Sequence, residues 1–146
     1  TLPDPDFTSF LAPQVVTNAN TPTFTIGGTE FILRSFELDR ANSITPRFLV
    51  NSESIQVSNS EEVVKVQVEP VALATYNPYS IPQTQTQKAI RLVHGAGAGK
   101  ISTFDIDYAQ QRRFEGYAIQ DDIVEWPLIF DCLPDAGDDQ WKLTLT

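Results

Sequence analysis

Methionine is absent from the chain, cysteine and histidine occur once each, and acidic residues outnumber basic ones almost two to one. Each shortage removes a class of function. The single cysteine, Cys132, forbids an internal disulfide, so the fold must hold by core packing, which suits a cytosolic origin. The single histidine, His94, has no Cys or His near it, which excludes a metal centre built from several imidazoles. Ten Lys and Arg against nineteen Asp and Glu give a formal net charge of −9. That charge repels phosphate and disfavours nucleic-acid binding driven by counterion release. It is compatible with a surface along which DNA slides without sticking. No run approaches the roughly 18 apolar residues of a membrane-spanning helix. The opening TLPDPDFTSF has neither the basic nor the apolar region of a signal peptide. With no Met even at position 1, the expectation is a fragment of a longer protein.

What is present is a core. The 146 residues are 41% hydrophobic and include nine Phe, enough for one domain of ordinary size. Pro3, Pro5, Pro13 and Pro22 interrupt the first stretch, which has no sustained periodicity. Residues 1–22 therefore read as an extended arm, with Phe7, Phe10 and Leu11 available to dock, ahead of a single β domain over residues 23–146. From Thr23 the period is two. Val64, Val66 and Val68 alternate with Lys65, Gln67 and Glu69, the pattern of a strand with one wet face. Val124, Trp126, Leu128, Phe130 and Cys132 alternate in the same way, as do Trp141, Leu143 and Leu145, which places both Trp in the core. Shorter candidates are Thr23–Ile26, Phe31–Leu38, Arg47–Val50, Ser54–Val57, Lys88–His94, Lys100–Tyr108 and Gly116–Ile119. Pro127 predicts an edge or a bulge in its strand. Turn residues separate these segments at Gly27-Gly28, Asp39–Asn42, Gly95–Gly99 and Asp135–Asp138. About ten strands predict an all-β antiparallel sandwich or partly open barrel. At most one short helix fits, over Ala72–Asn77, with Pro78 ending it.

The candidate sites are weak ones. In Gly95–Lys100 (GAGAGK) a Walker loop would need Gly where His94 stands and Ser or Thr where Ile101 stands. The dinucleotide pattern fails because Lys100 occupies its last glycine position, so the segment reads as a connection between strands. His94 reads as a structural residue at a strand end. No Gly-x-Ser-x-Gly elbow accompanies it, and Cys132 falls on an inward strand face. Asp105 and Asp107 share a strand face and are the residues a hydrolase would use. Asp121-Asp122 and the group Asp135, Asp138 and Asp139 lie in turns, where Asp bonds its own backbone, and they lack calcium-loop spacing. Tyr76, Tyr79, Tyr108 and Tyr117 remain for a sugar-stacking surface, and of these Tyr76 and Tyr79 lie in an irregular segment that predicts exposure. No catalytic, cofactor-binding or metal-binding residue emerges, and the chain reads as a non-enzyme.

The order of several short segments carries a resemblance. Pro5–Phe10, Val15-Val16 and Asn20–Ile26 come first, followed by Ser35–Asp39 with Asn42, and by Asn51–Ile55. Val64–Glu69 precedes a short link, then come Leu92–Gly95, Ala98–Lys100 and Leu133–Asp139. In this order and spacing the chain resembles the C-terminal half of the tail tube (major tail) proteins of siphophages and prophages, over nearly its whole length. The resemblance implies a virion protein that self-assembles into stacked rings in the bacterial host cytoplasm. Those rings form the tail tube and pass DNA without sequence-specific binding. It implies contacts with other copies and other tail proteins, no membrane, no cofactor and no catalytic residue. Subunit contacts are expected from the arm Thr1–Pro22 and from a polar loop over Asn51–Glu62. Two departures stand out. Tyr76–Gln87 is rich in Pro, Gln and Thr where the family carries a clearer helix, and the N-terminal half of a tube subunit is missing, so the chain alone is expected to be a monomer or weak oligomer. The alternative reading is a non-catalytic carbohydrate-binding or adhesion module.

Overall fold

Among the described residues, 14–59 and 61–146 of the computed structural model, the chain forms eleven strands and one five-residue helix. In chain order these are β1 Thr23–Ile26, β2 Thr29–Glu30, β3 Leu33–Asp39, β4 Ser43–Leu49, β5 Ser52–Asn59 and β6 Val63–Val68. There follow α1 Ser80–Thr84, β7 Gln87–His94, β8 Ser102–Gln111, β9 Ala118–Gln120, β10 Ile123–Cys132 and β11 Lys142–Leu145. The fold is all-β, and the strand pairings are antiparallel. The main sheet runs β2-β1-β7-β8-β10-β6-β3, with β11 added to β8 and β9 to β10, while β4 and β5 pair only with each other.

The main sheet curls onto itself. From β1 to β3 is five strand steps, which on a flat sheet would separate them by roughly 24 Å at about 4.8 Å per step. Yet the rings of Phe24 on β1 and Phe36 on β3 meet edge to face at 6.3 Å, and Phe36 meets Phe104 of β8 at 5.4 Å. Folding of the sheet over itself, as a sandwich or a partly open barrel, brings them together. Inside it pack Phe24, Ile26, Val64, Val66, Val68, Ile90, Ile106, Trp126, Leu128 and Phe130. Burial of each such side chain stabilises the fold by about 1.5–3 kcal/mol.

Pro127 sits on a central strand, where it pairs with Gln67 of β6. Its strand is intact because of backbone direction. The N–H of Cys132 bonds toward β6 and the carbonyl of Ile129 toward β8, so odd-numbered residues of this stretch face the β8 side. On that side β9 ends opposite Glu125 and β8 begins opposite Phe130. The proline's missing donor falls in this gap and removes no ladder bond.

The helix lies beyond Pro78, not before it. Ala72–Tyr76 makes a single turn, with the N–H groups of Thr75 and Tyr76 both bonded to the Ala72 carbonyl. The helix is nucleated instead at Asn77, whose Oδ1 accepts the N–H groups of Tyr79 and Ser80 at 3.0 and 3.2 Å. Pro82 occupies its first turn, where a missing N–H is harmless. The segment is fastened inward by Gln111, a buried residue of β8. Its Oε1 accepts the Tyr76 hydroxyl at 2.6 Å, and its Nε2 donates to the Pro78 carbonyl at 2.9 Å. Tyr76, expected at the surface, is therefore only 3% exposed.

One polar cluster crosses the sheet. Glu125 is 1% exposed and accepts from Arg34 of β3 and Gln67 of β6, while Arg34 also reaches Asp121 at 3.3 Å. The β10 alternation breaks here, because Glu125 turns inward and Val124 outward where the strand leaves β6 to pair with β9.

Candidate functional site: an exposed hairpin

The sequence predicts short strands over Arg47–Val50 and Ser54–Val57 and a polar loop over Asn51–Glu62; residues 43–59 form instead one long hairpin. Leu49 pairs with Ser52 across the two-residue turn Val50–Asn51, in which Asn51 takes φ 66°, a value Asn tolerates well. A two-residue turn makes Leu49/Ser52 a hydrogen-bonded pair. By alternation Arg47/Ser54 and Thr45/Gln56 are bonded too, whereas Phe48/Glu53, Pro46/Ile55 and Ile44/Val57 turn their backbone groups outward. Pro46 thus costs the ladder nothing, and it closes the outer edge of β4.

The two faces of this hairpin differ. Ile44, Pro46, Phe48, Ile55 and Val57 share one face, with Glu53 at its end, while Thr45, Arg47, Ser54 and Gln56 take the other. An apolar face of this kind is normally buried. Here Phe48 is 71% exposed and Ile55 73% exposed, and the whole of β4 is open to solvent. The region is thus not the polar loop expected over Asn51–Glu62: one face is apolar, and the other is polar apart from Leu49. The exposed apolar side chains escaped sequence reading because Pro46 and the short separate strand segments hid a continuous alternation from Ile44 to Val57.

The hairpin's root is held firmly. The Arg40 guanidinium lies 5.7 Å over the Trp141 ring and 3.9 Å from Glu62, whose backbone carbonyl accepts the Cys132 N–H. Arg112 holds Asp131 at 2.6 Å and reaches Glu61 at 3.5 Å. The Arg112–Asp131 bond is the main reason the guanidinium is pushed above its ordinary pKa. The hairpin, residues 43–59, holds one Arg and one Glu and is neutral within a chain of charge −9.

The chemistry-bearing residues do not converge. His94 ends β7, its Nδ1 lies 2.8 Å from the Thr21 hydroxyl, and its carbonyl accepts the Ser102 hydroxyl. The preceding chain is tied to the same end, with Gly95 N–H donating to the Asn20 carbonyl and Gln14 bonded to Ala96. Gly95 is held at φ 105°, and a Cβ there would fall 1.8 Å from the Lys100 carbonyl oxygen, so this glycine is dictated by close approach and not by phosphate. Residues 1–13 of the arm lie outside the described residues. Cys132 faces inward on β10, and burial, helped by Glu62 and Asp131, pushes its thiol up to about 11.

Asp105 is paired with Arg91 at 3.5 Å, and Asp107 is exposed on the same strand. Asp121 and Asp122 both take left-handed φ, 53° and 60°, in the tight β9–β10 turn. Asp139 accepts the N–H groups of Ala136 and Asp135, and those bonds hold its carboxyl below the usual range. Among the described residues no group of three or more His, Cys, Asp or Glu is placed to hold a metal ion, and no helix is long and apolar enough to cross a membrane.

Two aromatic expectations change. Trp126 is buried as expected, with an unpartnered Nε1 that costs about 1–3 kcal/mol against its ring contacts with Tyr76 and Phe114. Trp141 stacks on Phe104 at 5.6 Å, but Leu143 and Leu145 of the same strand face are exposed because β11 borders only β8. Tyr79 and Tyr117 bridge Phe114 with their hydroxyls 2.6 Å apart. A groove of about 670 Å³ lies beside β1 and β3, lined by Val16, Pro22, Phe31, Leu33, Glu30 and Glu69 among others. His94, Cys132, Asp105 and Asp107 are not in it.

Comparison with protein-family models finds no match, and comparison with curated proteins finds none either.

Proposed function

We propose that the chain is a structural domain of the tail tube of a long-tailed bacteriophage or prophage, working by self-assembly and not by catalysis. The observation that carries the reading is the hairpin, a rooted two-stranded element whose apolar face has no cover among the described residues. Two strands alone are marginal in water. An exposed apolar strand face is a liability unless a partner occupies it. The resemblance of the segment order to that of tail tube proteins supports copies of the same chain as that partner. In a tube of stacked rings, neutral hairpins would join the subunits, while the net charge of −9 keeps the wall from adhering to passing DNA.

Electron microscopy tests the reading. Rings or tubes with a central channel are expected from a full-length tube subunit that contains the chain, and at most a weak oligomer from the chain alone. Particles of that full-length protein no larger than a monomer would overturn it. A carbohydrate-binding role rests on Tyr79 and Tyr117, an exposed aromatic pair with hydroxyls 2.6 Å apart, and Tyr108 is exposed as well. Glycan binding abolished by Tyr79→Ala would favour that second reading.

A further inference from the structure

The strands that border a sheet among the described residues are β2, β3, β4, β5, β9 and β11. Most of them are poor sites for adding another strand. β2 and β9 have two and three residues. β3 exposes Arg34, Glu37 and Asp39, charges that oppose strand addition. β4 is closed by Pro46. The edges of β5 and β11 remain.

These two edges match. On β5 the residues with outward backbone groups are Glu53, Ile55 and Val57. On β11 the parity follows from its last pair, since Ile101 and Thr146 exchange both backbone hydrogen bonds at 2.8 Å. Thr144 and Lys142 are then bonded to β8, and Leu143 and Leu145 point their N–H and C=O groups away. Ile55, Val57, Leu143 and Leu145 are 73%, 61%, 52% and 73% exposed. On both strands the residues free to pair are the ones whose apolar side chains lack cover.

We propose that β5 of one copy adds antiparallel to β11 of the next, with Val57 opposite Leu143 and Ile55 opposite Leu145. The pairing rests on the assembly reading above and names its partner surface. Outward backbone groups of the two strands then meet as hydrogen-bonded pairs, and the four apolar side chains lie together on one face. The neutral hairpin lets two chains of charge −9 approach without bringing like charges into the contact. Because β5 and β11 are different surfaces, the contact is head to tail. Each added copy leaves one edge of each kind free, so the contact propagates.

Sedimentation velocity on the chain tests this with two edge-blocking variants. Val57→Pro and Leu143→Pro each place a proline nitrogen on the outward edge and spare the ladder within the copy. The wild type is expected to form a concentration-dependent series beyond the dimer, and each variant alone to lose association by at least tenfold. Mixed one to one, the variants should give a dimer that does not grow, because one retains β11 and the other β5. Val57→Lys and Leu143→Lys, with folding checked by near-ultraviolet circular dichroism, decide the matter where a proline variant fails to fold. A mixture that stays monomeric, or a single variant that associates like the wild type, overturns the pairing but leaves the assembly reading standing. A wild-type chain that stays monomeric at every concentration overturns the pairing. Absence of rings or tubes in electron microscopy removes the assembly reading with it.

Discussion

Replacing Arg34 by Met is expected to destabilise the domain by about 2–3 kcal/mol, through the carboxylate it leaves behind. Glu125 is 1% exposed and accepts hydrogen bonds from Arg34 and Gln67. Breaking a buried ion pair by removing one member costs about 3–5 kcal/mol. The Arg34 side chain is 34% exposed, so water can reach part of the vacated space and the figure is discounted. Urea unfolding followed by tryptophan fluorescence reads the change, with Trp126 next to the substituted pair. The double variant Arg34→Met, Glu125→Met removes both charges and should recover about 1–2 kcal/mol relative to the single variant.

A single variant within about 0.5 kcal/mol of the wild type would refute the reasoning. So would a double variant no more stable than the single, which would assign the loss to packing of the Arg34 stem.

Two further outcomes are expected. Tyr76→Phe removes the hydroxyl that Gln111 accepts, leaving a buried amide oxygen unmatched, and should lower stability by about 1–2 kcal/mol in the same urea assay. Gly95→Ala combines φ 105° with a Cβ 1.8 Å from a carbonyl oxygen and should cost about 2 kcal/mol or more, measured by thermal unfolding.

The sequence shows most of the barrel and little of its surface. Val64–Val68 and Thr23–Ile26 were legible because each buries one face against the core and the alternation is clean. The helix lies later than the pattern over Ala72–Asn77 predicts because Pro78 follows a capping Asn77 and so precedes a helix where it would otherwise end one. Tyr76 shows that irregular backbone says nothing about burial, since a single buried glutamine on a distant strand draws it inward. Leu143 and Leu145 have the periodicity of core residues, but alternation identifies a strand without identifying what lies over it. The same limit hid the hairpin, whose apolar face is patterned like an interior one.

The contact between Phe24 and Phe36 gives the barrel a property its other junctions lack. Neighbouring strands around the wall are stitched by rows of amides, but here two rings meet across a lengthwise slit. An edge-to-face pair is worth about 0.5–1.5 kcal/mol beyond the area it buries. Removing either ring therefore weakens only the side-chain part of that junction, because the chain itself spans the same two ends through β2, where the Phe31 N–H bonds the Phe24 carbonyl.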